Sequence, residues 1–163
     1  MNEILMRQAL RESVDEVLEK MFFAQTIGEC SNASPTADPP ADEVAVSLKF
    51  QGEPSGLFLL RLTAAAARQI AADFLGLDEA EVSDMQTSEV IRELANMICG
   101  SVLSRVESAA TFQLGAPRIL LPCEEAAESL SNTRYCVQLF NGRLSVNFGT
   151  GIPICPQPAQ SAY

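Results

Sequence analysis

Between Gln86 and Glu107 the sequence places Val90, Ile91, Leu94, Met97, Ile98, Val102 and Val106 along one side of a helix, and Glu89, Glu93, Asn96, Gly100, Ser104 and Glu107 along the other. A helix of this length is roughly 30 Å long. Its apolar stripe therefore demands a large complementary surface, which the rest of the chain must supply. On the polar side Glu93 and Asn96 stand three apart and are neighbours on the helix surface. Gly100 lies one turn beyond Asn96, although an interior glycine costs about 0.5–1 kcal/mol relative to alanine. Two explanations are open: a neighbouring strand packs closely against Gly100, or the missing side chain leaves room for another molecule.

The partners of this helix can be read on either side of it. Leu10, Val14, Val17, Leu18, Met21 and Phe22 recur at helical spacing within residues 3–23, with Glu12, Glu16, Glu19 and Lys20 facing away, and Met21-Phe22-Phe23 reads as core at the helix end. Thr26 to Pro40 shifts to Gly, Ser, Asn, Ala, Asp and Pro, so that 26–42 is expected to be a mobile loop. Glu43 to Gln51 alternates as a half-buried strand, Gly52-Glu53-Pro54-Ser55-Gly56 turns the chain, and Leu57 to Leu62 returns as a more buried strand. Thr63 is in position to cap a helix from Ala64 to Leu75, which carries Ala67, Ile70, Ala71 and Phe74 as its apolar stripe and ends at Gly76. After an acidic connection, Ser83 and Gln86 have the spacing of a capping box that opens the long helix.

Beyond Gly115-Ala116-Pro117 the sequence predicts a short strand over Arg118 to Leu121 and a brief helical turn over Glu124 to Leu130. Arg134 to Phe140 and Arg143 to Phe148 flank Asn141-Gly142, a dipeptide suited to the positive φ angles of a type I′ turn. The tail 156–163 is expected to be disordered. Two hairpins with helices before, between and beside them predict an α+β fold, a mainly antiparallel sheet packed against long helices, in a single domain over 1–155.

Composition narrows the chemistry. The net charge of −10 and the absence of a Lys/Arg cluster in the sequence argue against nucleic acid as a partner. With no histidine, Ser-His-Asp and Cys-His catalysis are excluded and the commonest metal ligand is missing. The five cysteines Cys30, Cys99, Cys123, Cys136 and Cys155 are widely spaced and form no CxxC pair, which fits buried thiols in a reducing compartment better than a disulfide framework or a zinc site. No apolar run reaches the roughly 18 residues of a membrane span and no signal-peptide layout opens the chain, so a cytoplasmic protein without a membrane partner is expected.

A glutamate and an asparagine on one helical face have three readings. They can be solvated surface, they can hold a metal, for which the chain offers too few converging ligands, or they can act on a partner's chemistry. In the last case the carboxylate pairs with a cation while the amide, both donor and acceptor, orients a water.

The run Ser88-Glu89-Val90-Ile91-Arg92-Glu93-Leu94-Ala95-Asn96-Met97-Ile98-Cys99-Gly100 resembles the signature helix of the CheC/CheX chemotaxis phosphatases. Glu-x-x-Asn alone is a weak motif; Glu-Leu-Ala-Asn-Met-Ile-x-Gly is considerably more specific. The order of elements over roughly residues 10–150 is similar to that family as well. The resemblance implies a CheC/CheX-like fold and hydrolysis of the aspartyl phosphate on a CheY-type response-regulator receiver domain, in chemotaxis or two-component signalling.

It implies roles for individual residues too. Glu93 would contact the receiver's active-site lysine and Asn96 would place the attacking water, with Glu89 and Gly100 as partner-binding positions. No cofactor of the chain's own is implied, since Mg2+ is expected in the receiver. The motif occurs once, as in the single-site CheX-like branch, because the first helix has no Asn three residues after a Glu. The position four before Glu93, commonly Asp or Ser in the family, is Glu89 and adds negative charge beside the site. The branch tends to form homodimers through sheet edges, which makes the hairpin Arg134 to Phe148 the expected edge. The alternative is a non-catalytic CheX-like module that binds a receiver or serves as a dimeric scaffold.

Overall fold

The computed structural model describes residues 3–30, 42–53, 55–106, 111–120 and 132–150. Among them three α-helices, α1 (Glu3–Met21), α2 (Ala64–Leu75) and α3 (Asp84–Val106), and a short 3-10 turn at Glu79–Glu81 lie with seven strands: β1 (Thr26–Glu29), β2 (Glu43–Gln51), β3 (Gly56–Thr63), β4 (Gln113–Leu114), β5 (Arg118–Ile119), β6 (Asn132–Leu139) and β7 (Gly142–Thr150). The strands form one antiparallel sheet in the order β1-β6-β7-β3-β2-β4, with β5 also on β2. This is the expected α+β architecture.

Strand alternation divides the sheet into two faces, with Leu59 of β3 an apolar residue buried on the far one. Val46, Leu48 and Phe50 of β2, Phe58, Leu60 and Leu62 of β3, Tyr135, Val137 and Leu139 of β6, and Leu144, Val146 and Phe148 of β7 are buried toward the helices. They meet Leu10, Val14 and Leu18 of α1, Ala67, Ile70 and Ala71 of α2, and Ile91, Leu94, Ile98 and Val102 of α3 in one continuous core. α1 lies against β6 and β1, α2 against β3 and β7, and α3 against β2, β3 and β5.

Several expectations shift once the chain is folded. Thr26–Glu29, inside the predicted loop, is a strand paired with β6. The hairpin of β6 and β7 is consequently not an edge: β1 pairs one side of β6 and β3 pairs one side of β7. Its turn is also displaced by one residue. Leu139 pairs with Gly142, so Phe140 and Asn141 form the loop, and neither has a positive φ; Gly142 has φ 151 as the first residue of β7. A Cβ there would come within 1.8 Å of the Thr63 hydroxyl, so the glycine is required by close approach to β3.

Thr63 occupies the N-cap position of α2 but its side chain makes no cap hydrogen bond; the Ala64 N–H donates instead to the Asp42 carbonyl at 2.8 Å. Gly76 ends the helix at φ 67, as the left-handed cap predicts. Of Met21-Phe22-Phe23 only Phe22 is core, stacked on Phe74 with centroids 4.8 Å apart, whereas Phe23 is exposed with φ 56. The loop 31–41, Glu107, the helical turn over 124–130 and the tail 156–163 fall outside the described residues.

Candidate functional site

The capping box forms at the start of α3 as its spacing predicts. The Ser83 N–H donates to Gln86 Oε1 at 2.9 Å and the Gln86 N–H to Ser83 Oγ at 3.1 Å. Asp84 in the first turn and Arg105 in the last complement the helix dipole. Contacts at several levels then hold α3 in place. Arg68 of α2 pairs with Asp84 at 2.8 Å, Ser101 donates to Ser13 of α1 at 3.1 Å, and Arg105 bridges Glu12 at 3.1 Å and Glu16.

These contacts leave one face of the helix uncommitted. Glu89 and Glu93 are exposed, and Asn96 and Gly100 are half-buried, on successive turns of the same side. Among the described residues none of the Glu89, Glu93 and Asn96 side chains has a hydrogen bond or ion pair. A carboxylate and an amide so placed are free to engage another molecule without breaking an internal contact. Solvated surface is also compatible with exposure, but it does not account for the glycine beside them.

Gly100 separates the two explanations open from its sequence position. The nearest atom a Cβ would meet is Leu114 Cδ1 at 3.8 Å, an ordinary van der Waals separation. Packing among the described residues therefore does not require glycine at this position. Leu114, on β4 at the sheet margin, gives the acidic face a partly exposed apolar neighbour. No signal in the sequence could have found it, because its place beside Gly100 depends on β4 pairing with β2.

Cys99 lies behind this face and is fully buried, and burial pushes its thiol up to about 12, so it acts as packing and not as a nucleophile. Among the described residues no group of three or more Cys, Asp or Glu is arranged to hold a metal ion. No described helix is long and apolar enough to cross a membrane. A cleft of about 300 Å³ lies elsewhere, lined by Phe23, Ile27, Ile70, Leu139 and Phe140, and includes none of the α3 residues. Among the described residues the α3 face is thus surface outside that cleft.

Comparison with known proteins places the fold among known relatives. The family described as chemotaxis phosphatase CheX matches residues 44–141, a span containing Glu89, Glu93, Asn96 and Gly100. No match is found among curated protein sequences. Among solved structures, a chemotaxis protein CheX from Vibrio vulnificus superposes with a TM-score of 0.72 at 14% identity, covering 93% of this chain and 99% of that one. A CheX from Desulfovibrio desulfuricans gives 0.69 at 18%, covering 90% and 99%. A CheX–CheY–BeF3–Mg+2 complex from Borrelia burgdorferi gives 0.65 at 15%, covering 89% of this chain and 97% of that one. At these identities the structural likeness concerns the fold.

Proposed function

Because the chain belongs to the CheX family of chemotaxis phosphatases, we propose that it hydrolyses the aspartyl phosphate of a CheY-type response-regulator receiver in a cytoplasmic signalling pathway. The observation that carries this reading is the pair Glu93 and Asn96, adjacent on one face of α3, unbonded among the described residues and followed by a glycine that their packing does not require.

Phosphoryl transfer depends chiefly on positioning and electrostatics, so a face lacking a nucleophile or metal of its own is sufficient. The Glu93 carboxylate pairs with the lysine ammonium of the receiver and fixes the two proteins in register. The Asn96 amide oxygen accepts a hydrogen bond from a water and aims its lone pair at phosphorus. The water oxygen bonds to phosphorus as the phosphorus–oxygen bond to the aspartate breaks, and the aspartate leaves as a carboxylate. The water's proton passes to the phosphate. Mg2+ held by the receiver would supply positive charge against the phosphoryl oxygens. Gly100 lets the receiver approach Asn96, and Glu89 extends negative charge along the docking face. Should two copies associate through the sheet, the outermost described strands are β1 at one end and β4 with β5 at the other, not the β6–β7 hairpin.

Phosphate loss from a phosphorylated receiver in the presence of Mg2+ tests the proposal. Wild-type protein shortens the lifetime of the phosphoryl group, and Asn96→Ala slows turnover by about 10²–10³-fold, the range for removing one oriented polar group at a reacting centre. Receiver binding stays within a few-fold for this variant. Equal decay with and without wild-type protein, across several receivers from the same organism, would sink the phosphatase reading. Tight binding without faster decay would assign the face to a non-catalytic module.

A further inference from the structure

Positive charge is concentrated on the side of the sheet that faces away from the helices. Arg61 is directly opposite Ser145, which is opposite Cys136, so these three form one cross-strand row over β3, β7 and β6. Arg143 stands two residues before Ser145 on β7, and Arg134 two residues before Cys136 on β6, which brings both to the same face. Lys49 of β2 and Arg118, opposite Ser47 on β5, share it too. Five of the chain's 11 Lys and Arg residues thus lie on one face of a protein whose net charge is −10. The acidic residue on this face among the described strands is Glu43.

Arg61, Arg134 and Arg143 converge further, lining with Thr63, Cys136, Ser145 and Glu43 a single depression of about 50 Å³. None of the three guanidinium groups has an ion pair or side-chain hydrogen bond among the described residues. Among the described residues Arg7, Lys20, Arg68 and Arg105 do form ion pairs with carboxylates. Like charges gathered at neighbouring sheet positions repel, and Glu43 can offset only one of them.

We infer that this depression is a binding site for a compact dianionic oxyanion, a phosphate group, held by the guanidinium forks of Arg61, Arg134 and Arg143 with the Ser145 hydroxyl. Guanidinium N–H groups match phosphate oxygens in paired geometry, and a charged acceptor turns three mutually repelling cations into one neutralised cluster. The volume admits one phosphoryl group and not a nucleotide. This inference is independent of the reading of α3, since none of the residues belongs to that helix.

Titration of the full-length protein with inorganic phosphate, and in a second arm with phosphoserine, at constant ionic strength in sodium chloride, tests it. Calorimetry and the amide resonances of Arg61, Cys136 and Ser145 report binding. Saturable phosphate binding shifts those resonances, and the paired substitution Arg134→Gln, Arg143→Gln weakens it at least tenfold. Both arginines are exposed, so the fold is retained. Glu43→Gln tightens binding severalfold by removing the opposing charge, and Lys20→Gln on α1 leaves it unchanged. Binding in both arms assigns the site to phosphate groups generally, and binding of inorganic phosphate alone assigns it to the free ion. No saturation in either arm, equal affinity in the double variant, or binding of a glutamate peptide in place of phosphate would overturn it.

Discussion

Replacing Gly100 by alanine sets stability against function at a single atom. Alanine is favoured over glycine inside a helix by about 0.8–1.0 kcal/mol. Among the described residues the new methyl group meets only Leu114 Cδ1, at 3.8 Å, and none of them opposes that gain. The net expectation is stabilisation of about 0.5–1 kcal/mol, equivalent to a rise in melting temperature of about 1–4 °C for a chain of this size. The same methyl group projects from the open face of α3 one turn beyond Asn96, where a docking receiver must come close. A displacement of about 1 Å at a reacting centre can cost about 10²-fold in rate, so phosphatase turnover should fall by about 10–100-fold while the fold becomes more stable. Thermal and urea unfolding supply the first quantity, and phosphate release from an excess of phosphorylated receiver the second. A variant destabilised by 1 kcal/mol or more would show that glycine serves internal packing. A stabilised variant with full turnover would show that nothing approaches Gly100 during the reaction.

Other substitutions address the remaining structure. Gly142→Ala should destabilise by about 2–3 kcal/mol in urea unfolding, since it combines φ 151 with a Cβ placed 1.8 Å from the Thr63 hydroxyl. Asp15 has a buried, unpartnered Oδ1. Burial, opposed by Arg11 and assisted by Glu19, raises its carboxyl above 3.8, so the folded state holds the proton more tightly than the unfolded state. Its charge therefore opposes folding above the raised value, and Asp15→Asn should raise the melting temperature at pH 7, with the gain fading as pH falls toward 3.8. Cys99, raised by burial from 9.0 to about 12, ionises more readily in the unfolded chain. Stability should therefore decline as pH rises from 9.0 toward about 12, by up to about 4 kcal/mol from this thiol, and Cys99→Ala should flatten that decline in pH-dependent unfolding.

What the sequence discloses and what it conceals follow from how far each feature depends on distant partners. The α3 face is legible because helical periodicity alone places Glu89, Glu93, Asn96 and Gly100 opposite Ile91, Leu94, Ile98 and Val102, and burial confirms the division. β2 is legible for the same reason, its alternation matching Glu43–Gln51. β1 is not: Thr26-Ile27-Gly28-Glu29 has no apolar alternation of its own and becomes a strand by pairing with β6. The turn at Gly142 points the same way. Asn-Gly is a sound local signal, yet the contact with Thr63, 79 positions earlier in the chain, decides where the glycine is needed and displaces the loop to Phe140-Asn141. Leu114 beside Gly100, and the three arginines gathered from β3, β6 and β7, are wholly products of register. In the sequence Arg61, Arg134 and Arg143 are isolated charges in an acidic chain, and only the pairing of strands more than 70 residues apart makes them a cluster. The pair proposed for catalysis sits on one continuous helix and can be found without a structure. The anion site spans three strands and cannot.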